Sequence, residues 1–291
     1  MADKTWWGLD PGNEEDWGTA GNWNPSGVPT NSDRVWIGPG SSDISGSLGQ
    51  GGVTLGTVVI EPGYRGSIGF STGSTPSYLA LDCDSLITSG TGIMYIDLSH
   101  SGAINVLVED ARTNLPIGQC GLYLTTDGSG TIGNLSVHRG KVALGYFGDD
   151  PAQTVAECIV SGPDASLVVG DPVTQTAVTV EDGVYRSNSS ATITTFTISG
   201  GLAVLIGSSA VTTANCEGGT TLLGGSGTVA TCNIDGGVID ATYLAQAQTI
   251  TALNFLEGSL ISNASYITIS TLNDRSDNVA FEMVVRKKVT T

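Results

Sequence analysis

Hydrophobic positions in this chain recur as a short phrase and do not follow the 3.6-residue period of a helix. Residues 192–201 read TITTFTISGG, residues 210–219 AVTTANCEGG and residues 228–237 TVATCNIDGG, eighteen residues apart. Alignment yields one template: apolar, two polar or small, apolar, one polar, apolar, one residue, then a glycine-bearing turn. Ile193, Phe196 and Ile198 match Val211, Ala214 and Cys216, and these match Val229, Cys232 and Ile234. Further copies are Ile132-Leu135-Val137, Val155-Cys158-Val160, Ile250-Leu253-Phe255 and, more weakly, Gln175-Val178-Val180. The first column falls at 132, 155, 175, 193, 211, 229 and 250, with intervals of 23, 20, 18, 18, 18 and 21. An early copy, Leu55-Val58-Ile60 before Pro62-Gly63, starts the array far upstream.

A period of 18 to 23 with short alternating strands and glycine turns predicts an all-β fold, a right-handed parallel β-helix or β-solenoid. No coil buries its inward side chains alone, so the core exists only in the stack. Ile193, Val211 and Val229 are expected to lie above one another. An antiparallel sandwich or a row of hairpins is the rival arrangement, but neither requires column register across seven copies. The extra residues of longer intervals belong in loops, as at residues 145–151 and 170–174. Three segments follow: a tryptophan-rich cap or attachment region at 1–40, a solenoid body at 41–274, and a capping or docking strand at 275–291.

Composition agrees. Glycine accounts for 41 of 291 residues and charged residues for 13%, a mixture that favours strands and turns. No apolar run is long enough for a membrane-spanning helix, and the opening residues lack the basic and apolar regions of a secretory leader. The expectation is release into the cytosol of the producing cell. A net charge of −17 with eleven Lys and Arg offers no basic groove for nucleic acid. Cys158 and Cys232 share an inward column four coils apart. Cys216 and Cys232 fall in adjacent coils but neighbouring columns, roughly 8 Å apart and beyond disulfide reach. The cysteines therefore read as reduced, buried apolar residues. With only His100 and His138 and no C-x-x-C pair, neither a metal site nor a cofactor is expected.

Both ends of such a stack would aggregate if bare. The five tryptophans, Trp6, Trp7, Trp17, Trp23 and Trp36, all precede residue 40 and suit a plug, with Trp6, Trp7 and Trp17 also candidates for attachment. At the other end, Arg286, Lys287 and Lys288 are the candidates. Among acids, Asp82 with Asp84 is the best-placed carboxylate pair for glycoside chemistry, ahead of Glu109-Asp110, Asp149-Asp150 and Glu181-Asp182. No basic residue or histidine is expected at matching register, as lyase chemistry would require, so no catalytic residue is assigned and the chain is read as a non-enzyme. Tyr146, Phe147, Asp149 and Asp150 occupy the longest inter-coil loop and form a candidate patch for a host surface glycan, which leaves an adhesin or tailspike, or less readily a depolymerase, as the alternative.

The stretch from Gly21 to Gly38, GNWNPSGVPTNSDRVWIG, resembles the opening of a group of tailed-phage virion proteins with β-solenoid bodies. The matching positions are Asn22, Trp23, Gly27, Val28, Pro29, Asp33, Val35 and Ile37. Residues 55–69, with a Gly-Tyr-x-Gly-x-Ile-Gly corner, continue the likeness over about the first seventy residues. Secreted autotransporter-like repeats open similarly; the reduced cysteines and the absent leader tilt the likeness toward phage. The resemblance implies a head decoration protein or head fibre, made in the host cytoplasm and built into the virion as a homotrimer. Its partners would be the major capsid protein or another virion protein. It implies no catalytic residues.

Overall fold

The computed structural model describes residues 1–72, 75–100, 102–126, 128, 130–148, 150–244, 246–261 and 267–275. These form a β-solenoid of about 11 turns with parallel strands. A single turn of 3-10 helix, Ala20–Asn22, is the one helical piece among them.

Two ladders run the length of the stack. The first begins with Arg34–Ile37, which pairs with residues 58–60, and passes through Leu79–Thr88, Ala103–Val108, Thr131–Val137, Gln153–Val160 and Val173–Val180. It continues through Ile193–Ile198 and Val211–Cys216, then residues 228–235 and 248–255, and ends at Ile267–Asp274. The second ladder stacks Met94–Leu98, Leu122–Thr126, Gly140–Leu144, Ala165–Val169, Val184–Ser187, Leu202–Leu205 and Thr220–Leu223. Residues 238–240 and 259–261 extend it. Every rung of both ladders is parallel to its neighbours, so each strand's outward-pointing backbone groups are met by the next coil.

Ile193 pairs with Val211 and Val211 with Val229, as the template requires. One column is unbroken over twelve rungs: Val35, Val58, Leu86, Val106, Leu135, Cys158, Val178, Phe196, Ala214, Cys232, Leu253 and Leu272. The two-residue gap in the template has a physical cause. In Gln153–Val160 the in-out alternation breaks at Ala156 and Glu157, both exposed, before Cys158 turns inward again. The pleat changes phase there, so one strand supplies two inward faces and the coil turns a shallow corner without a loop.

The second corner is the glycine turn. Gly219 has φ +64°, and a Cβ built on it would lie 2.7 Å from the Gly200 carbonyl carbon. Successive turns stack so closely that only hydrogen fits, and the left-handed backbone excludes other residues at little extra cost to glycine.

Two rungs do not match the template. Leu79–Thr88 fills the slots with Cys83, Leu86 and Thr88, whose hydroxyl group replaces the usual apolar residue. Ala103–Val108 has one residue fewer than the strand it meets: Ile104 faces Ile132 and Asn105 faces Asn134, which leaves Gly133 as a bulge. The ladder also runs straight across residue 40, because Val35, Trp36 and Ile37 pair with 58–60. Asp3–Trp6 adds a further parallel strand on top of them.

Outside the core, Asn233, Asn254 and Asn273 each donate a side-chain hydrogen bond to the asparagine one coil earlier, at 2.7, 2.7 and 2.8 Å. Asn215 closes the series on the Thr197 hydroxyl at 3.3 Å. This amide ladder repeats on the surface the register that the apolar columns impose inside.

Replacing Phe196, fully buried and stacked between Val178 and Ala214, by alanine is expected to cost about 3–5 kcal/mol in denaturant unfolding. The outward Thr213→Ala change should stay within about 0.5 kcal/mol. Equal losses at the two positions would contradict the inward-outward assignment.

Candidate functional site

Chemistry-bearing side chains gather in three places. The first is the N-terminal end. Trp6, Trp17 and Trp23 are buried against one another, with ring centroids 6.1, 5.2 and 4.6 Å apart. Trp6 lies on Ile37 at the head of its column, so the rings cover what would be the bare end of the core. Burial leaves each indole N–H needing an acceptor: Trp6 Nε1 donates to the Ser42 carbonyl at 3.1 Å and Trp23 Nε1 to the Trp17 carbonyl at 2.9 Å.

The residues around the plug are held by two polar pins. Asn22, fully buried, donates to the carbonyls of Asn13 and Asp16 at 2.6 and 2.9 Å and accepts from the Asp10 N–H at 2.8 Å. Asp33 accepts from the Thr30 N–H and hydroxyl and the Ala2 N–H. The Thr30 N–H, chief among these donors, holds its carboxyl below the usual carboxylate range. Enclosure removes Trp6 and Trp17 from the surface available for attachment, a correction to their candidacy. Trp7, 45% exposed, is the member of the three that faces solvent.

The second place is the outer face of the second ladder, where loops 109–121 and 145–152 fold over it. Tyr95 and Tyr123 are in register on adjacent coils and stack with centroids 4.8 Å apart and planes 7° apart. Phe147 packs on both, Tyr78 meets Tyr95 edge-on and Tyr146 meets Tyr123 edge-on. Tyr146, 38% exposed, donates its hydroxyl to the Gly118 carbonyl at 3.1 Å. Asp150 accepts from the Tyr78 hydroxyl at 3.1 Å and from the Phe147 N–H at 3.0 Å, and burial together with this carboxylate pushes the Tyr78 phenol upward. Tyr146, Phe147 and Asp150 thus come together as expected; Asp149 lies outside the described residues, as do Arg286, Lys287 and Lys288. Tyr78, Tyr95 and Tyr123 were missed. The signal was there: Tyr95 and Tyr123 each sit one residue beyond the start of a second-ladder strand, but that ladder has no phrase of its own.

The third place corrects an expectation. A histidine does stand at matching register to the carboxylate pair: His100 lies between Asp82 and Asp84. Its Nδ1 is hydrogen bonded to Asp82 Oδ1, its Nε2 is 3.6 Å from Asp84 Oδ1, and the Thr54 hydroxyl donates to Asp82 Oδ2 at 2.8 Å. Residues 96–98 pair in parallel with residues 79–81, so His100, two residues beyond Leu98, stands beside the stretch from Asp82 to Asp84 that follows Leu81. Both ring nitrogens face carboxylates, so the cluster clasps two coils together. Of the other acids, Glu109 accepts from the Ser89 hydroxyl at 2.8 Å, Asp110 lies 3.8 Å from Arg139 and Asp182 accepts from the Gly183 N–H. Among the described residues no three His, Cys, Asp or Glu side chains gather as metal ligands.

The cysteines are free and buried. Burial, before any neighbouring charge, pushes the thiols of Cys83 and Cys158 up to about 12 and those of Cys120 and Cys216 up to about 11. Between the ordinary value of 9.0 and these values the folded chain keeps protons that the unfolded chain releases. Stability contributed this way is fully present below pH 9 and is lost as pH rises toward 12. Urea unfolding at pH 8 to 10.5 should show a decline of up to about 1.4 kcal/mol per pH unit for each such thiol, made shallower by Cys158→Val. A flat profile would contradict the burial.

Fold and sites together define a parallel β-solenoid with an aromatic plug and an aromatic outer patch. No protein-family model, no curated protein and no solved structure matches this chain.

Proposed function

We propose that this chain is a non-enzymatic structural component of a bacteriophage particle, a capsid decoration or head-fibre protein that binds the particle by one end. The observation that carries this reading is the rod itself, a continuous apolar column from Val35 to Leu272 closed at one end by interlocked tryptophans. Such a body offers length and rigidity. The residues that resemble virion-protein openings support the same reading, since Trp23 is one of the three plug rings and Asn22 and Asp33 pin the chain around them. Its partners are then the major capsid protein or another virion protein, with two further copies of itself in a homotrimer. Mass spectrometry of purified particles should find the chain in many copies per virion. Its presence in lysate but never in particles overturns the proposal.

The aromatic patch favours a second reading, an adhesin or tailspike that binds a host surface glycan through Tyr146 and Phe147. Sugar rings stack on aromatic faces, and both side chains are partly open at the rim of the patch. Tyr146→Ala with Phe147→Ala should then abolish binding to surface polysaccharide, while unfolding shifts by less than about 3 kcal/mol, the cost of a half-buried pair. Undiminished binding in the double variant removes this reading.

A further inference from the structure

Below the aromatic patch, the outer face of the second ladder carries apolar residues where a solvated sheet carries polar ones. Its outward column runs Val168, Arg186, Val204, Leu222, Asp240 and Ile261, each in register with the next. The companion column, two residues earlier in each strand, includes Val184, Leu202 and Val238. Val184 and Ile261 are 37% and 49% exposed, Val168, Leu202, Leu222 and Val238 are half-buried, and Val204 forms the floor at 7%.

Two charges stand in this face, and neither makes an ion pair among the described residues. Arg186 is the only basic residue between positions 142 and 274. It is exposed, and its Nε donates to Asn188 Oδ1 at 3.4 Å. Asp240 accepts from the Thr242 N–H and hydroxyl at 2.8 and 2.6 Å. Three rungs separate the two charges, about 14 Å, so they do not pair within one chain.

The charges are placed evenly about the midpoint between Val204 and Leu222. On either side of that point Val204 answers Leu222, Arg186 answers Asp240 and Val168 answers Ile261. In the companion column Leu202 answers Thr220, and Val184 answers Val238. Turned end over end, such a face is complementary to itself, apolar on apolar and positive on negative. Two copies running in the same direction would instead set Arg186 on Arg186 and Asp240 on Asp240. Charge also favours a second copy over another partner. The chain has a net charge of −17, so a basic partner would settle on the acidic corners, whereas two acidic copies meet least repulsion at a neutral face.

We infer that this face pairs with itself: two copies of the chain lie side by side and antiparallel, related by a two-fold axis between Val204 and Leu222. Six rungs of four-residue strands cover about 29 by 13 Å, roughly 400 Å². That is half of the roughly 800 Å² a standard interface takes from each partner, so the association is weak and reversible. The inference is independent of the virion reading, whose homotrimer sets its rods parallel. An antiparallel contact lies between such assemblies or between free chains.

Sedimentation of the full-length chain from micromolar to hundreds of micromolar should show dimerisation that reverses on dilution. Arg186→Asp and Asp240→Arg, made singly, should each raise the dissociation constant about tenfold or more, and the two together should bring it back to within about threefold. Recovery in the double variant separates a lost contact from a lost fold, which matters because Asp240 also holds Thr242. A cross-linking measurement does not rely on the charge variants. Packed sheets lie about 10 Å apart, so a short bismaleimide should join a Val184→Cys chain to a Val238→Cys chain. It should link Val184→Cys chains to one another about tenfold less, because that pair is offset by three rungs. Four results overturn the inference: a monomer at every concentration, association that ignores both single charge variants, no recovery in a folded double variant, or self-linking of Val184→Cys equal to or above the mixed pair.

Discussion

The structure depends on one constraint: an inward side chain is enclosed only when the same slot one rung above and below it is filled as well. Burying a Val, Ile or Leu is worth about 1.5–3 kcal/mol, but only when the slots coincide. A slip of one residue would turn every inward group of a strand out to solvent. Register is therefore the property the stack requires, and residue identity within a slot is loose. Leu135, Cys158, Val178, Phe196 and Ala214 follow one another in a single column. The large Phe196 between small neighbours shows volume being balanced along the column and not within each rung.

The same constraint reaches the polar atoms. Coils stacked at strand spacing bring their corners equally close, which is why Gly201 and Gly219 carry hydrogen where a Cβ would strike the previous turn at 2.5 and 2.7 Å. It also aligns outward residues, so that four asparagines form a ladder of side-chain hydrogen bonds without any of them being specified by the core. One buried slot that turns polar finds a partner across its own coil: Gln175, which replaces the usual Val or Ile, accepts from the Tyr185 hydroxyl at 2.7 Å.

Legibility in the sequence follows from this division. The rungs from Thr131 to Phe255 were readable because each repeats three apolar slots at fixed spacing, and even Gln175 could be placed by its neighbours Val178 and Val180. The rungs at Leu79–Thr88 and Ala103–Val108 were not, since Thr88 hides one slot and the bulge at Gly133 removes the two-residue gap from the partner strand. The site residues divide in the same way. Tyr146, Phe147 and Asp150 are close in sequence and could be grouped by eye. Tyr78, Tyr95 and Tyr123 join them only through the stacking of coils, and His100 meets Asp82 through the pairing of residues 96–98 with 79–81, strands that carry no copy of the phrase.

Coil length, more than residue type, marks where surface chemistry is found. Ile193, Val211 and Val229 succeed one another every 18 residues, and those coils carry little beyond their turns. Val58 to Leu86 and Ile104 to Ile132 each take 28 residues. The first of these long coils contains Tyr78 and Asp82, and the second contains the loop over Tyr123 and the Gly118 carbonyl that receives Tyr146. A solenoid core fixes only the stacked slots, so added residues must leave the stack between them and can change without disturbing it. The excess over 18 thus measures how much of a coil is free to acquire a partner. By that measure the spare residues gather in the upper half of the rod, and the lower half is nearly uniform in coil length, with Glu217, Asp235, Asp240 and Glu257 as its only charges between residues 190 and 270.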